Sequence, residues 1–202
     1  MDLIEAIRQR RSVRKYRPEP VPKKDIYLML EAARLAPSGV NSQPWKFKVI
    51  TDPEIKELVF KASRSQFQIR EAPAVILVCA DTMAYSKELK IRYKQLMDDG
   101  ILTEDDIKYA GVKDLLTEDE EKELAAYEHR AVFNTAIATE HMALTATSVG
   151  LGTCWVHLFE KEEIRRIFKL PSWLIPVTLL TVGYPEELPE PRPRKSMEEI
   201  LL

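Results

Sequence analysis

The spacing of apolar residues changes rhythm along the chain, and each rhythm predicts an element. Leu3, Ile4 and Ile7 recur at helical intervals behind Asp2, whose carboxylate suits a helix N-cap. A second helix is expected after Pro22, with Ile26, Leu30 and Ala33 on one face, and it must end before Pro37 because proline restricts the residue ahead of it. The stretch 37–44 then reads as a loop. From Trp45 the period shortens to two: Trp45, Phe47 and Val49 alternate with Lys46 and Lys48, as in a strand with one buried face. Asp52-Pro53 opens the next helix as N-cap and first helical residue. The runs 74–80 and 175–182 are continuously apolar and rich in branched residues, the mark of interior strands of one sheet.

The stretch 98–128 breaks this pattern, because acidic residues greatly outnumber Lys108, Lys113 and Lys122 there. It predicts a helical insertion with a solvated surface, either a plain surface helix or a mobile cover. Thr117 and Glu120 form a capping box for a long helix running through Leu124, Ala131, Ile137 and Leu144 to Gly150. Its half from 131 to 147 carries few charges and many small residues, so it is expected to be covered on most sides, in a core or at a subunit interface. A strand over 151–156, a helix over 161–169 and a strand ending at Gly183-Tyr184-Pro185 follow, then a proline-rich tail. Helices and strands mix without regular βαβ alternation and without internal repeat, in a single domain over 1–202.

Charge removes several function classes. In 202 residues, 30 Lys and Arg stand against 32 Asp and Glu, a net charge of −2, so there is no general attraction to nucleic acid or anionic membrane. The longest apolar run is too short for a bilayer span of roughly 20 residues, and the N-terminus lacks a signal peptide's apolar core, so a soluble, cytoplasmic protein is expected. Cys79 and Cys154 form no C-x-x-C pair and read as buried structural thiols. His129, His141 and His157 have no zinc-ligand spacing, so no metal site is expected.

Two segments keep chemical interest. Arg10-Arg11-Ser12-Val13-Arg14, if extended, puts alternate side chains on one side, and guanidiniums beside a hydroxyl suit a phosphate through charge-assisted hydrogen bonds. A second basic knot, Arg192-Pro193-Arg194-Lys195, lies near the other end. The loop 36–45 packs turn formers, Asn41 and Gln43 ahead of Trp45, and amides can read the carbonyls and ring nitrogens of a heterocycle. A phosphate site, a heterocycle reader and no protein nucleophile together point to a bound cofactor that supplies the reaction.

Arg10-Arg11-Ser12-Val13-Arg14-Lys15-Tyr16, then Ala36-Pro37-Ser38-Gly39-Val40-Asn41-Ser42-Gln43-Pro44-Trp45, then Gly150-Leu151-Gly152-Thr153-Cys154-Trp155 and Gly183-Tyr184-Pro185, resemble in order the landmarks of the nitroreductase family of FMN-dependent oxidoreductases. The resemblance implies an α+β three-layer sandwich, with a mixed, mainly antiparallel sheet flanked by helices, in an intertwined homodimer with FMN at the interface. Arg10, Ser12 and Arg14 match the family's FMN-phosphate segment, with Arg11 contributing backbone, and Arg192 and Arg194 match basic residues near the same phosphate. Pro37, Ser38, Gly39 and Asn41 match the loop that reaches the flavin from the other subunit, joined by Gln43. Cys154 and Trp155 fall beside the ring, and Gln66 where the family places a polar residue against the pyrimidine edge. Where relatives carry a small residue, this chain continues His157-Leu158-Phe159.

The implied activity is ping-pong hydride transfer from NAD(P)H through flavin N5 to a nitroaromatic, quinone or related acceptor, with no catalytic group on the protein itself. As a mobile cover, the stretch 98–128 would affect which acceptor is used. Two alternatives stay open. One is reductive dehalogenation of a halogenated aromatic amino acid gripped by Glu88, Tyr93 and Lys94; the other is a flavin- or anion-binding module without turnover.

Overall fold

The computed structural model describes residues 1–85, 89–109 and 120–202. The Thr117 end of the expected capping box and Glu88 lie outside the described residues. Four strands, β1 (Trp45–Ile50), β2 (Ala74–Asp81), β3 (Gly152–Val156) and β4 (Leu174–Gly183), form one sheet in the order β1-β2-β4-β3, every neighbouring pair antiparallel. Among the described residues, parallel pairing enters at a single bridge, Ser12 to Thr153, on the outer edge of β3.

The continuous apolar run of β2 has a direct cause, since both faces of the sheet are covered. Ile76, Val78 and Ala80, with Leu180 and Val182 of β4, face α2 (Lys23–Arg34) and α7 (Glu120–Ser148), where Met29, Ala131, Ala138, Met142 and Ala146 are buried. Val75, Leu77 and Cys79, with Leu179, face α3 (Pro53–Ala62), α4 (Phe67–Glu71) and α8 (Lys161–Phe168), where Val59, Phe60, Ile69 and Ile164 are buried. This is the three-layer α+β sandwich expected from the sequence. Pro176 sits in β4, an interior strand that a proline should not occupy; it lies opposite Cys79, where the β2–β4 register shifts, and the bulge absorbs its missing N–H.

Local signals set the helix ends. Asp2 accepts the Glu5 N–H at 2.8 Å and starts α1 (Leu3–Gln9), while Asp52 accepts from Glu54 and Ile55 and starts α3 behind Pro53. The helix α5 (Leu89–Asp98) leads into the acidic stretch, within which α6 (Glu104–Tyr109) and the first turns of α7 are helical. The sparsely charged half of α7 is explained largely within the chain: Ala131, Thr135, Ala138, Thr139, Met142 and Ala143 are buried under its own sheet and α2, whereas Phe133 stays exposed. No described helix is long and apolar enough to cross a membrane.

Candidate functional site

The segment after α1 is held against the sheet edge by backbone and by a glycine. The Val13 N–H donates to Thr153 O at 2.9 Å, Arg17 N–H donates to Tyr184 O, and Tyr16 bridges to Pro185. The Tyr16 hydroxyl, buried, donates to Val13 O and shares a hydrogen bond with the Thr181 hydroxyl; burial raises its pKa. Val13 turns inward onto Gly152, where a Cβ would lie 2.5 Å from its Cγ2 and 3.0 Å from Pro185 Cγ. Only a residue without a side chain fits there.

With Val13 inward, Ser12 and Arg14 turn outward, as extended backbone requires. Both meet β3. Burial raises the pKa of the Cys154 thiol, and the Arg14 and Arg10 guanidiniums and the Ser12 hydroxyl act on the same thiol in the opposite direction. Four residues singled out from two stretches of sequence thus come together. Arg10 also pairs with Glu140 of α7 at 3.5 Å; burial raises the Glu140 pKa, while Arg10, His141 and the Trp155 indole hold it down. The Trp155 ring in turn stacks near His157, 6.2 Å between centroids. Arg11 bends back instead, donating to the carbonyls of Arg8 and Arg10 and closing the end of α1.

The loop after α2 forms a separate, strained group. Val40, Asn41 and Gln43 have φ of 49°, 52° and 47°, a left-handed conformation that is costly for a β-branched valine. Side chains enforce it. Asn134 Oδ1 accepts the Gly39 N–H at 3.0 Å, Ser38 Oγ accepts the Gln43 N–H, Arg92 donates to Asn41 O at 2.7 Å, and the Thr135 hydroxyl donates to Pro44 O. The Gln43 amide is spent within the loop, on Asn41 O and Oδ1. Pro37 and the Asn41 side chain remain exposed. Behind the loop lies a cavity of about 230 Å³ lined by Gly39, Val40, Tyr85, Tyr93, Arg130 and Asn134.

One chain does not unite these parts. Asn134 and Glu140 stand about 9 Å apart along α7 and about a third of a turn apart round it, so loop and arginine segment rest on different sides of one helix. Gln66 sits at the far end of β3, its amide donating to Ser63 O and Leu158 O. Arg192 and Arg194 lie in the exposed tail, where Arg194 donates to the carbonyls of Arg192 and Pro193. Tyr93 lines the cavity and Lys94 is exposed. Glu140, Asn134, Arg92 and Arg130 escape a reading of motifs; a lone carboxylate and amide in the sparsely charged half of α7 were the available signal.

The nitroreductase family profile matches residues 7–184, a span that includes the arginine segment, the strained loop and β3. The chain belongs to the nitroreductase family. Among similar proteins, one from Methanothermobacter thermautotrophicus assigned as NADH dehydrogenase/NAD(P)H nitroreductase is 30% identical over 196 residues, covering 95% of this chain and 82% of that protein. A Thermus thermophilus NADH dehydrogenase is 29% identical over 211 residues, covering 100% and 96%. A protein of Exiguobacterium sibiricum 255-15, classed with the nitroreductases and solved in complex with FMN, superposes with a TM-score of 0.79 at 26% identity, covering 100% of this chain and 96% of that one.

Proposed function

We propose that this nitroreductase is an FMN-dependent oxidoreductase that carries hydride from NAD(P)H to a small organic acceptor such as a nitroaromatic or a quinone. The observation that carries the reading is the convergence of Arg10, Ser12 and Arg14 on Thr153 and Cys154 of β3. Their chemistry fits the phosphate of a mononucleotide: guanidiniums and a hydroxyl presented outward from one extended stretch, with no carboxylate paired to Arg14 among the described residues. When bound there, FMN supplies the redox chemistry. A relative solved with FMN and relatives named for NADH or NAD(P)H support the choice of cofactor and donor.

The chain's own contribution is to bind and orient. Arg10, fixed by Glu140, and Arg14 give charge-assisted contacts to phosphate, Ser12 adds a hydroxyl, and Trp155 offers a flat apolar surface beside them. Arg192 and Arg194 would add charge once the tail folds against a neighbour. Asn41, exposed on a loop whose backbone is already fixed, would present its amide to a ring held by a second copy. A homodimer supplies that copy, and the apolar surface it needs is at hand: Leu3, Ile4 and Ile7 point outward from α1, which packs on α7, and Phe133 is 62% exposed.

The test is a fluorescence titration of flavin-stripped protein with FMN and with riboflavin. Binding of FMN at least about tenfold tighter than riboflavin is expected, because charge-assisted phosphate contacts are worth roughly 1.5–3 kcal/mol each. Equal affinity for the two would remove the phosphate site, and with it the reading.

A further inference from the structure

Several arginines of this chain pair with carboxylates on the surface. Arg34 pairs with Glu31, Arg70 with Glu57, Arg165 with Glu162, Arg166 with Glu163, Arg64 with Glu160 and Arg17 with Glu19. These are surface ion pairs of the usual kind. Arg130 differs. It lies on α7, where partners would sit three or four residues away, and those positions hold Ala126, Tyr127, Phe133 and Asn134, none of them acidic. Among the described residues its guanidinium has no ion pair and no hydrogen bond.

Its surroundings are not those of an idle surface charge. Arg130 borders the 230 Å³ cavity together with Tyr85, Tyr93, Gly39, Val40 and Asn134. The guanidinium carbon stands 6.0 Å from the Tyr127 ring centroid, and that ring stacks with Tyr85 at 6.0 Å and 19°. Asn134 locks the wall, donating to the Tyr85 hydroxyl at 2.8 Å while accepting from Gly39. Burial raises the pKa of Tyr85 and of Tyr93, so both phenols stay neutral near neutral pH, and Arg130 acts on both from close by. The cavity therefore combines aromatic faces, neutral hydroxyls and a cation that is uncompensated among the described residues. Its volume falls below the roughly 300 Å³ at which pockets for drug-sized ligands begin, which leaves room for one substituted ring.

We propose that this cavity selects acceptors that are monocyclic aromatic acids, with Arg130 binding the carboxylate and Tyr85 and Tyr93 flanking the ring. The inference rests on the oxidoreductase reading above, because the ring so held would be the acceptor beside the 38–43 loop. A planar, forked guanidinium suits a carboxylate, and the aromatic walls reward a flat ring over an aliphatic acid.

The test compares 4-nitrobenzoate with its neutral methyl ester on FMN-loaded protein. Calorimetric affinities and steady-state KM and kcat are measured for the wild type, Arg130→Gln, Arg130→Lys and the ion-paired control Arg166→Gln. The wild type and the control should prefer the acid by about tenfold or more, the discrimination expected of a charge-assisted contact. Arg130→Gln should abolish the preference through KM, and Arg130→Lys should restore part of it. Equal binding of acid and ester by the wild type, or a preference that survives Arg130→Gln, would overturn the proposal. The two readings fail separately. Reduction of the ester without any preference for the acid removes the aromatic-acid site alone, whereas Arg130-dependent binding of the acid with no reduction of either compound removes the oxidoreductase reading alone.

Discussion

Arg10 and Glu140, paired at 3.5 Å, join the N-terminal arginine segment to the middle of the long helix that also positions the strained 38–43 loop through Asn134. The pair is not simply stabilising. Burial is the largest influence on Glu140 and raises its pKa, so the carboxylate is held in its charged form at a cost that Arg10 and the Trp155 indole reduce.

That direction fixes a pH dependence. A carboxyl whose folded pKa is raised binds its proton more tightly when folded, so its favourable contribution is complete below the ordinary value of 4.5 and is lost as pH rises through the folded value. The variant Glu140→Gln should therefore melt above the wild type at about pH 7, with the gap closing as the solution is acidified. Thermal unfolding across that range reads the sign; a wild type more stable at neutral pH would mean that the Arg10 pair outweighs burial.

Arg14→Ala should weaken FMN binding by about tenfold or more, since a single charge-assisted hydrogen bond contributes roughly 1.5–3 kcal/mol. The fold should be untouched, because the Arg14 side chain is exposed and its Nη1 bonds only Ser12 O. Fluorescence titration with FMN beside a melting curve separates the two effects. An unchanged dissociation constant would take Arg14 out of the site.

Gly152→Ala places a methyl 2.5 Å from Val13 Cγ2 and 2.8 Å from its Cβ. Overpacking of this kind costs about 1–3 kcal/mol, and here the strain falls on the contact that holds Ser12 to Thr153. Urea unfolding should show a lowered midpoint, and FMN affinity should fall with it. Val13→Ala in the same background should recover part of both losses.

Asn134→Ala removes the acceptor for Gly39 N–H and the donor to the Tyr85 hydroxyl together. Taking a partner from the buried Tyr85 hydroxyl costs about 1–3 kcal/mol, and the loop loses the bond at Gly39, next to Val40 with its positive φ. Hydrogen exchange at residues 38–43 should accelerate by more than exchange in β2 does. A uniform change across both would mean that Asn134 supports the fold in general and not this loop.

Much of the fold was legible because its signals are local. Asp2 and Asp52-Pro53 mark helix starts in their own neighbourhoods, and the unbroken apolar run of β2 announces burial on both faces. The bulge at Cys79 was not legible, because it depends on which strand lies opposite Pro176. The alternation around Val13 put Ser12 and Arg14 on one side, yet their meeting with Cys154 is a product of the Ser12–Thr153 bridge and the room left by Gly152. Asn134 and Arg130 were hidden for a related reason. An amide that ties a loop, and a cation without a carboxylate, become visible only when the neighbours contributed by other segments are known.

Hydride transfer through a bound flavin is most directly tested by anaerobic titration of the purified, FMN-loaded protein with NADPH and with NADH, followed by absorbance. The account predicts that one equivalent of at least one nicotinamide bleaches one equivalent of bound flavin, and that adding a nitroaromatic or a quinone restores the yellow colour. Protein that binds FMN but is bleached by neither nicotinamide would contradict it.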